Sequence, residues 1–191
     1  MKRPAVFLDR DNTLIASDCY LGDPAKVVLI KGAADLIAEV RTLGYAVVVV
    51  SNQSGIARGM FTESDTDAVN ARLDELLRTA NREAIVDAHY YCPHHPQAPI
   101  ERYRKDCSCR KPKPGMLLDA ARYLKLDLSR SWMVGDAPRD IDAGAAAGCR
   151  TILFVDAGLP ASVAAAEKGT AVPDCVVSSL VQAAHRIAGN R

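Results

Sequence analysis

Residues 45–55 read Tyr-Ala-Val-Val-Val-Val-Ser-Asn-Gln-Ser-Gly. From Tyr45 to Ser51 the run is nearly all apolar and β-branched, with no polar residue at alternate positions. A strand with one wet face alternates apolar and polar residues. One covered on both faces does not. This stretch therefore predicts a central strand of a parallel sheet with helices on both sides. Its carboxyl end carries a hydroxyl, Ser51, and two amides, Asn52 and Gln53.

The flanking segments repeat the theme. "AVFLD" (5–9) reads as another buried strand. "GAADLIAEVRTLG" (32–44) puts Leu36, Ile37, Val40 and Leu43 on one helical face and stops at Gly44. "FTESDTDAVNARLDELLRTANRE" (61–83) begins with Thr62 as N-cap, and Asp65 completes a capping box. Val69, Leu73, Leu76 and Leu77 form its apolar stripe. "IVDAHYY" (85–91), "SWMVGD" (131–136), "RTILFV" (150–155) and "CVVSS" (175–179) read as strands. "PGMLLDAARYLKL" (114–126), "PRDIDAGAAAG" (138–148) and "LVQAAHRIA" (180–188) read as helices, the first opened by Pro114 and the second stopped by Gly148. Strand–helix alternation throughout means βαβ units, hence an α/β, doubly wound, mostly parallel Rossmann-like sheet. No repeat or linker interrupts it, so residues 1–191 are read as a single domain.

Composition narrows the function classes. The chain has 191 residues, 49% hydrophobic and 25% charged, with a net charge of +1. Near-neutrality gives no global reason to coat nucleic acid or an anionic membrane. No apolar run approaches the roughly 20 residues of a bilayer span. The apolar stretch after "MKRP" ends at Asp9, too soon for a signal peptide's core. The expectation is a cytoplasmic monomer. A reducing compartment favours free thiols or metal ligands over disulfides for the six cysteines. Cys149 and Cys175 sit among apolar residues and are expected to be packed thiols.

In such folds ligands bind beyond the carboxyl ends of the strands. Asp9 and Asp11 follow the first strand, Ser51 the second, and Asp136 with Asp140 a later one. Any one aspartate at a strand end is more often a turn or cap residue. Three converging carboxylates repel unless a cation lies among them, and hard oxygen donors favour Mg²⁺.

The longest irregular stretch runs from Pro93 to Pro114 within "CPHHPQAPIERYRKDCSCRKPKPG". Loops this long in a compact domain are usually functional or metal-tied. Cys92, His94, Cys107 and Cys109 make a Cys₃His set suited to structural zinc, with His95 as a competing imidazole. A coincidental cluster of thiols is the bland alternative. Lys111 follows the last cysteine of the set; a tied loop can hold a lysine at an active site, whereas a free one leaves it solvated.

The string D-R-D-N-T (9–13), Ser51, Lys111 and G-D-x-x-x-D (135–140) resembles, in order, the four motifs of the haloacid dehalogenase-like phosphotransferases. The resemblance spans nearly the whole chain and implies an enzyme with a minimal cap. It implies that Asp9 is a nucleophile forming an aspartyl-phosphate and that Asp11 is general acid, then base. Mg²⁺ would be held by Asp9, the Asp11 main-chain carbonyl and Asp136, with Asp140 orienting the site. Ser51 and Lys111 would bind the phosphoryl oxygens.

The pattern C-P-H-x-P … C-x-C-R-K-P resembles a zinc-looped subgroup with two activities. One removes the 7-phosphate of D-glycero-D-manno-heptose 1,7-bisphosphate; the other hydrolyses histidinol phosphate. The spacer between Cys92 and Cys107 and the string "SNQSGIARGMFTE" (51–63) are more similar to the first. That likeness implies a small sugar bisphosphate as substrate. Arg110 would meet its distal phosphate, Asn52, Gln53 and Ser54 would contact it from the second strand tip, and Ser17, Asp18, Cys19 and Tyr20 would line the entrance. Asn12 stands where the family usually has Gly, and Ala137 where the heptose enzymes often have Lys. A DNA 3′-phosphatase would call for a basic groove and stacking aromatics, but aromatics are 5% of the chain. A non-enzymatic zinc module would have no use for the aspartates at the strand tips.

Overall fold

The computed structural model describes residues 2–17, 20–155 and 169–189. Its strands are β1 (Ala5–Leu8), β2 (Ala46–Asn52), β3 (Ala88–Cys92), β4 (Trp132–Gly135), β5 (Arg150–Phe154) and β6 (Cys175–Val177). They form one sheet in the order β3-β2-β1-β4-β5-β6, every neighbouring pair parallel. The helices described are α1 (Ala33–Thr42), α2 (Ser54–Ala57), α3 (Glu63–Ala80), α4 (Gly115–Tyr123), α5 (Pro138–Ala146) and α6 (Leu180–Ala188).

The period-2 geometry of a strand sorts β1 and β2 onto two cores. Val6, Leu8, Val47 and Val49 pack against α1, α3 and α6. Ala5, Phe7, Ala46, Val48 and Val50 pack with Met116, Leu117, Ala120, Ala143 and Ala147 of the α4–α5 region. Both faces being covered, β2 is buried from Ala46 to Ser51, as its unbroken apolar run requires.

Local signals hold where they were expected. Thr62 accepts from the Asp65 amide at 3.1 Å, and Asp65 accepts from the Thr62 amide at 2.7 Å, closing the capping box of α3. Several element ends differ from expectation by one to three residues, and two of them show why. β3 begins at Ala88 rather than Ile85: Asp87 meets Val47 through its amide, which donates to the Val47 carbonyl (2.8 Å), and through its carboxylate, which accepts from the Val47 amide (2.7 Å), and the strand register starts one residue later at Val48–Ala88. α4 ends at Tyr123, because Lys125 takes the left-handed conformation (φ 55°), which no helix continues through.

The strand order turns back on itself between β1 and β4, the switch point beyond whose carboxyl ends α/β sheets of this kind bind their ligands. Among the described residues no helix is long and apolar enough to cross a membrane.

Candidate active site and metal-binding loop

Asp9 continues β1 by one residue; its amide donates to the Val134 carbonyl (2.9 Å). Asp9 is thereby fixed at the carboxyl end of β1 and is 3% exposed. The chain then turns sharply at Asn12, whose φ is +60°. Asn is among the few residues with a side chain that tolerate this region. Its Oδ1 accepts from the Ser17 amide (2.9 Å), so the turn survives the departure from Gly.

Lys111 is 1% exposed and lies inside the site. Its Nζ donates to Asp9 Oδ1 (2.7 Å) and to the Val50 carbonyl (2.7 Å), and forms an ion pair with Asp140 Oδ1 (2.7 Å). The backbone of Lys111 is held as firmly as its ammonium. Asn52 Nδ2 donates to the Lys111 carbonyl (2.9 Å), and the Lys111 amide donates to Asn52 Oδ1 (3.0 Å). The Asn52 side-chain amide thus clamps the exit of the Cys/His loop to the tip of β2.

Asp140 is fully buried. It reaches the site because Gly135 has no side chain; a Cβ there would lie 2.4 Å from Asp140 Cβ. Asp140 Oδ2 also accepts from the Ala137 amide (3.1 Å) at the start of α5. Ala137 is itself fully buried, so this position offers no cation to the rim.

The electrostatics follow from burial. Desolvation pushes the Asp9 pKa up, the Lys111 ammonium opposes it, and the Asp140 carboxylate adds to the rise. For Lys111, burial disfavours the charge, but Asp140 and Asp9 outweigh it and hold the pKa above the ordinary lysine value. The ammonium is charged at neutral pH and stands between two carboxylates.

Asp9, Asp136 and Asp140 each offer a carboxylate oxygen within 4.8 Å of the others. These are hard donors at a spacing that suits Mg²⁺. With Lys111 occupying the space between Asp9 and Asp140, the side on which Asp136 stands is where a cation fits. The Asp11 carboxylate is outside this group.

Asp11 faces a different set of donors. Gln53 Nε2 donates to its Oδ2 (2.7 Å) and to Ser51 Oγ (2.6 Å), and Ser51 Oγ approaches the same Oδ2 at 3.4 Å. Arg10 donates through Nε to Oδ1 and through Nη2 to Oδ2, each at 3.3 Å. The remaining arm, Nη1, donates to Asn70 Oδ1 on α3 (3.0 Å). Sequence reasoning passed over Arg10 and Asn70. The available signal was a guanidinium placed directly after a buried strand, where burial demands partners.

The Cys/His loop brings its four predicted residues together. Cys109 Sγ is 3.2 Å from Cys92 Sγ and from Cys107 Sγ, and Cys92 and Cys107 are 3.4 Å apart. His94 Nδ1 is 3.5 Å from Cys109 and 3.8 Å from Cys92. A disulfide needs about 2.0 Å. Sulfurs around a tetrahedral zinc, each bonded at about 2.3 Å, lie roughly 3.8 Å apart. The donors therefore fit zinc and leave no side open. Hydrogen bonds from Cys92, Cys107 and His94 draw the Cys109 pKa down to about 5, while donation to Cys109 pushes Cys92 up. His95 stands outside this group, with its Nδ1 accepting from the Gln97 amide (3.1 Å).

The loop is anchored at two further points. Gly115, opening α4, donates its amide to the Ser108 carbonyl (3.0 Å), and a Cβ there would lie 2.4 Å from that oxygen. At the tip, Tyr103 OH donates to Glu63 Oε1 (2.5 Å) on α3. At the rim, Tyr20 lies under the Arg58 guanidinium (5.8 Å), and Arg110 Nη1 donates to the His94 carbonyl (3.3 Å). Ser54 opens α2 and is buried. Asp18 and Cys19, expected at the entrance, lie outside the described residues.

Residues 108–183 match the HAD-hydrolase-like family model. The D-glycero-beta-D-manno-heptose-1,7-bisphosphate 7-phosphatase of Salmonella typhi is 45% identical over 162 residues, 85% of each chain. The protein of that name from Photorhabdus laumondii is 40% identical over 186 residues, 97% of this chain and 96% of its own. Among solved structures, the D,D-heptose 1,7-bisphosphate phosphatase of B. bronchiseptica, complexed with magnesium and phosphate, superposes with a TM-score of 0.82 at 31% identity. The alignment covers 98% of this chain and 99% of that one.

Proposed function

This chain belongs to the HAD-like hydrolases and is a phosphatase, and on that premise we propose that it removes the 7-phosphate of D-glycero-β-D-manno-heptose 1,7-bisphosphate. The observation that carries the reading is the Asp9–Lys111–Asp140 arrangement beside Asp11, on a chain 40–45% identical to phosphatases of that name.

Asp9 attacks phosphorus as the bond to the C7 oxygen breaks, giving an aspartyl-phosphate. Asp11 delivers its proton to the departing alkoxide, then accepts one from the water that attacks the acyl phosphate. Inorganic phosphate leaves and Asp9 is regenerated. Ser51 Oγ and the Lys111 ammonium hold the phosphoryl oxygens, so charge developing there meets fixed donors. Asp9, Asp136 and the Asp11 carbonyl would hold Mg²⁺, which offsets the repulsion between an anionic nucleophile and an anionic substrate. Cys92, His94, Cys107 and Cys109 would hold a structural zinc that fixes the loop ending at Arg110 and Lys111.

Arg110 faces the distal phosphate, since a guanidinium pairs with phosphate bidentately. Ser17, Tyr20 and Ser54 line the rest of the sugar site, Asn52 contributes by placing Lys111, and Gln53 by holding Asp11. The protein acts as one domain on a small molecule. The test is kcat/KM with Mg²⁺ on the heptose bisphosphate, fructose 1,6-bisphosphate and histidinol phosphate. The heptose bisphosphate is expected to lead by about 100-fold or more, a gap of ~3 kcal/mol. Equal turnover of histidinol phosphate would contradict the assignment. Arg110→Ala is expected to lower kcat/KM on the bisphosphate and leave a monophosphate little changed.

A further inference from the structure

Arg10 is the largest side chain below 2% exposure among the described residues, and in sequence it stands between Asp9 and Asp11. Its guanidinium grips both oxygens of Asp11 from one side, while Gln53 and Ser51 approach from another. The third nitrogen is tied to Asn70, which is 60 residues away in sequence and 8% exposed. Asn70 accepts through Oδ1 from α3, and the same helix anchors the zinc-loop tip through Glu63. Glu63 and Asn70 are seven positions apart, about two turns, so both face the site side of the helix.

We propose that Arg10, oriented by Asn70, is a positioning residue that aims the Asp11 carboxyl at the leaving oxygen of the substrate. A lone guanidinium next to Asp11 would neutralise it without directing it. One pinned at its far end can hold a carboxyl at one angle, and proton transfer depends steeply on that geometry. A buried arginine could instead serve the fold alone, by satisfying Asp11 and Asn70. The two roles separate by substrate.

This inference rests on the reading of Asp11 as general acid, and the experiment keeps the two apart. kcat/KM reports steps up to departure of the leaving group. A sugar alkoxide needs a proton to leave; p-nitrophenolate does not. Asp11→Asn, Asn70→Ala and Arg10→Lys are each assayed on the sugar bisphosphate and on p-nitrophenyl phosphate, with thermal midpoints recorded. Where Asn70→Ala does not fold, Asn70→Ser, whose hydroxyl is too short to reach Arg10, replaces it. The expected result for Asn70→Ala and Arg10→Lys is a loss of about tenfold or more on the sugar phosphate, within the ~10²–10⁴ of general acid catalysis, and less than about twofold on the aryl phosphate. Equal losses on both substrates, or no loss on either, would overturn the positioning role. If Asp11→Asn also loses equally on both, the reading of Asp11 itself fails.

Discussion

Asn52 and Lys111 are joined by a pair of opposed hydrogen bonds, 2.9 Å from Nδ2 to carbonyl and 3.0 Å from amide to Oδ1. A side-chain amide here completes a backbone-like pairing between the tip of β2 and the end of the Cys/His loop. The ammonium that stands between Asp9 and Asp140 is therefore placed by the loop's backbone as well as by its own contacts.

Asn52→Ala removes both bonds and leaves the Lys111 amide and carbonyl without these partners. Stability is expected to fall by ~1–3 kcal/mol. Activity is expected to fall further, by about 10–100-fold in kcat, because the ammonium shifts relative to Asp9. Urea unfolding and steady-state kinetics on one preparation check the two effects. A variant equal to the parent in kcat would show that the clamp is dispensable.

Gly135→Ala places a Cβ where Asp140 stands, at 2.4 Å. Overpacking of this kind costs ~1–3 kcal/mol. The displaced Asp140 releases its hold on Lys111, and a shift of about 1 Å costs roughly 100-fold in rate. A folded Gly135→Ala protein with full activity would mean that Asp140 has no part in placing the lysine.

Zinc removal is expected to lower stability and activity together, since Arg110 and Lys111 directly follow Cys109. Metal analysis of the purified protein should find about one zinc per chain, matching the one Cys₃His group among the described residues. Cys109→Ser is expected to lose the metal and to lower the thermal midpoint by about 5 °C or more. A metal-free protein of unchanged midpoint would contradict the structural role.

Cys149 is a buried thiol whose pKa burial pushes up to about 12 from 9.0. Between those values the folded chain keeps a proton that the unfolded chain has released. Its contribution to stability is therefore full below about pH 9 and falls as pH rises towards 12. In the folded protein at pH 8 iodoacetamide should leave Cys149 unmodified, and after unfolding in urea should modify it, as read by peptide mass spectrometry. Rapid labelling of the folded protein would contradict its burial.

The sheet was legible from β2 outward because burial on both faces leaves a plain mark, an apolar run without alternation. The site was legible where one residue at a strand tip carries the chemistry, as with Asp9, Ser51 and Asp136. Asn12 was legible too, because its left-handed turn depends on a local property of the residue. What escaped were partnerships set by distance in the fold. Nothing near Asn52 marks Lys111 as its partner 59 positions on, and nothing near Asn70 marks Arg10. Asp140 was expected to orient the site, but not through Lys111; the room left by Gly135 brings it into ion-pair contact with that lysine. The ends of β3 and α4 moved for a similar reason, because Asp87 and Lys125 are governed by a tertiary hydrogen bond and a backbone angle.

The central claim is a Mg²⁺-dependent hydrolysis at C7 of a heptose 1,7-bisphosphate. ³¹P NMR of that substrate with the protein and Mg²⁺ follows both phosphates at once. The account predicts that the C7 phosphomonoester signal disappears, inorganic phosphate grows in equal amount, and the anomeric phosphate persists; with Asp9→Asn neither signal changes. Loss of the anomeric phosphate first, or turnover that survives Asp9→Asn, would contradict it.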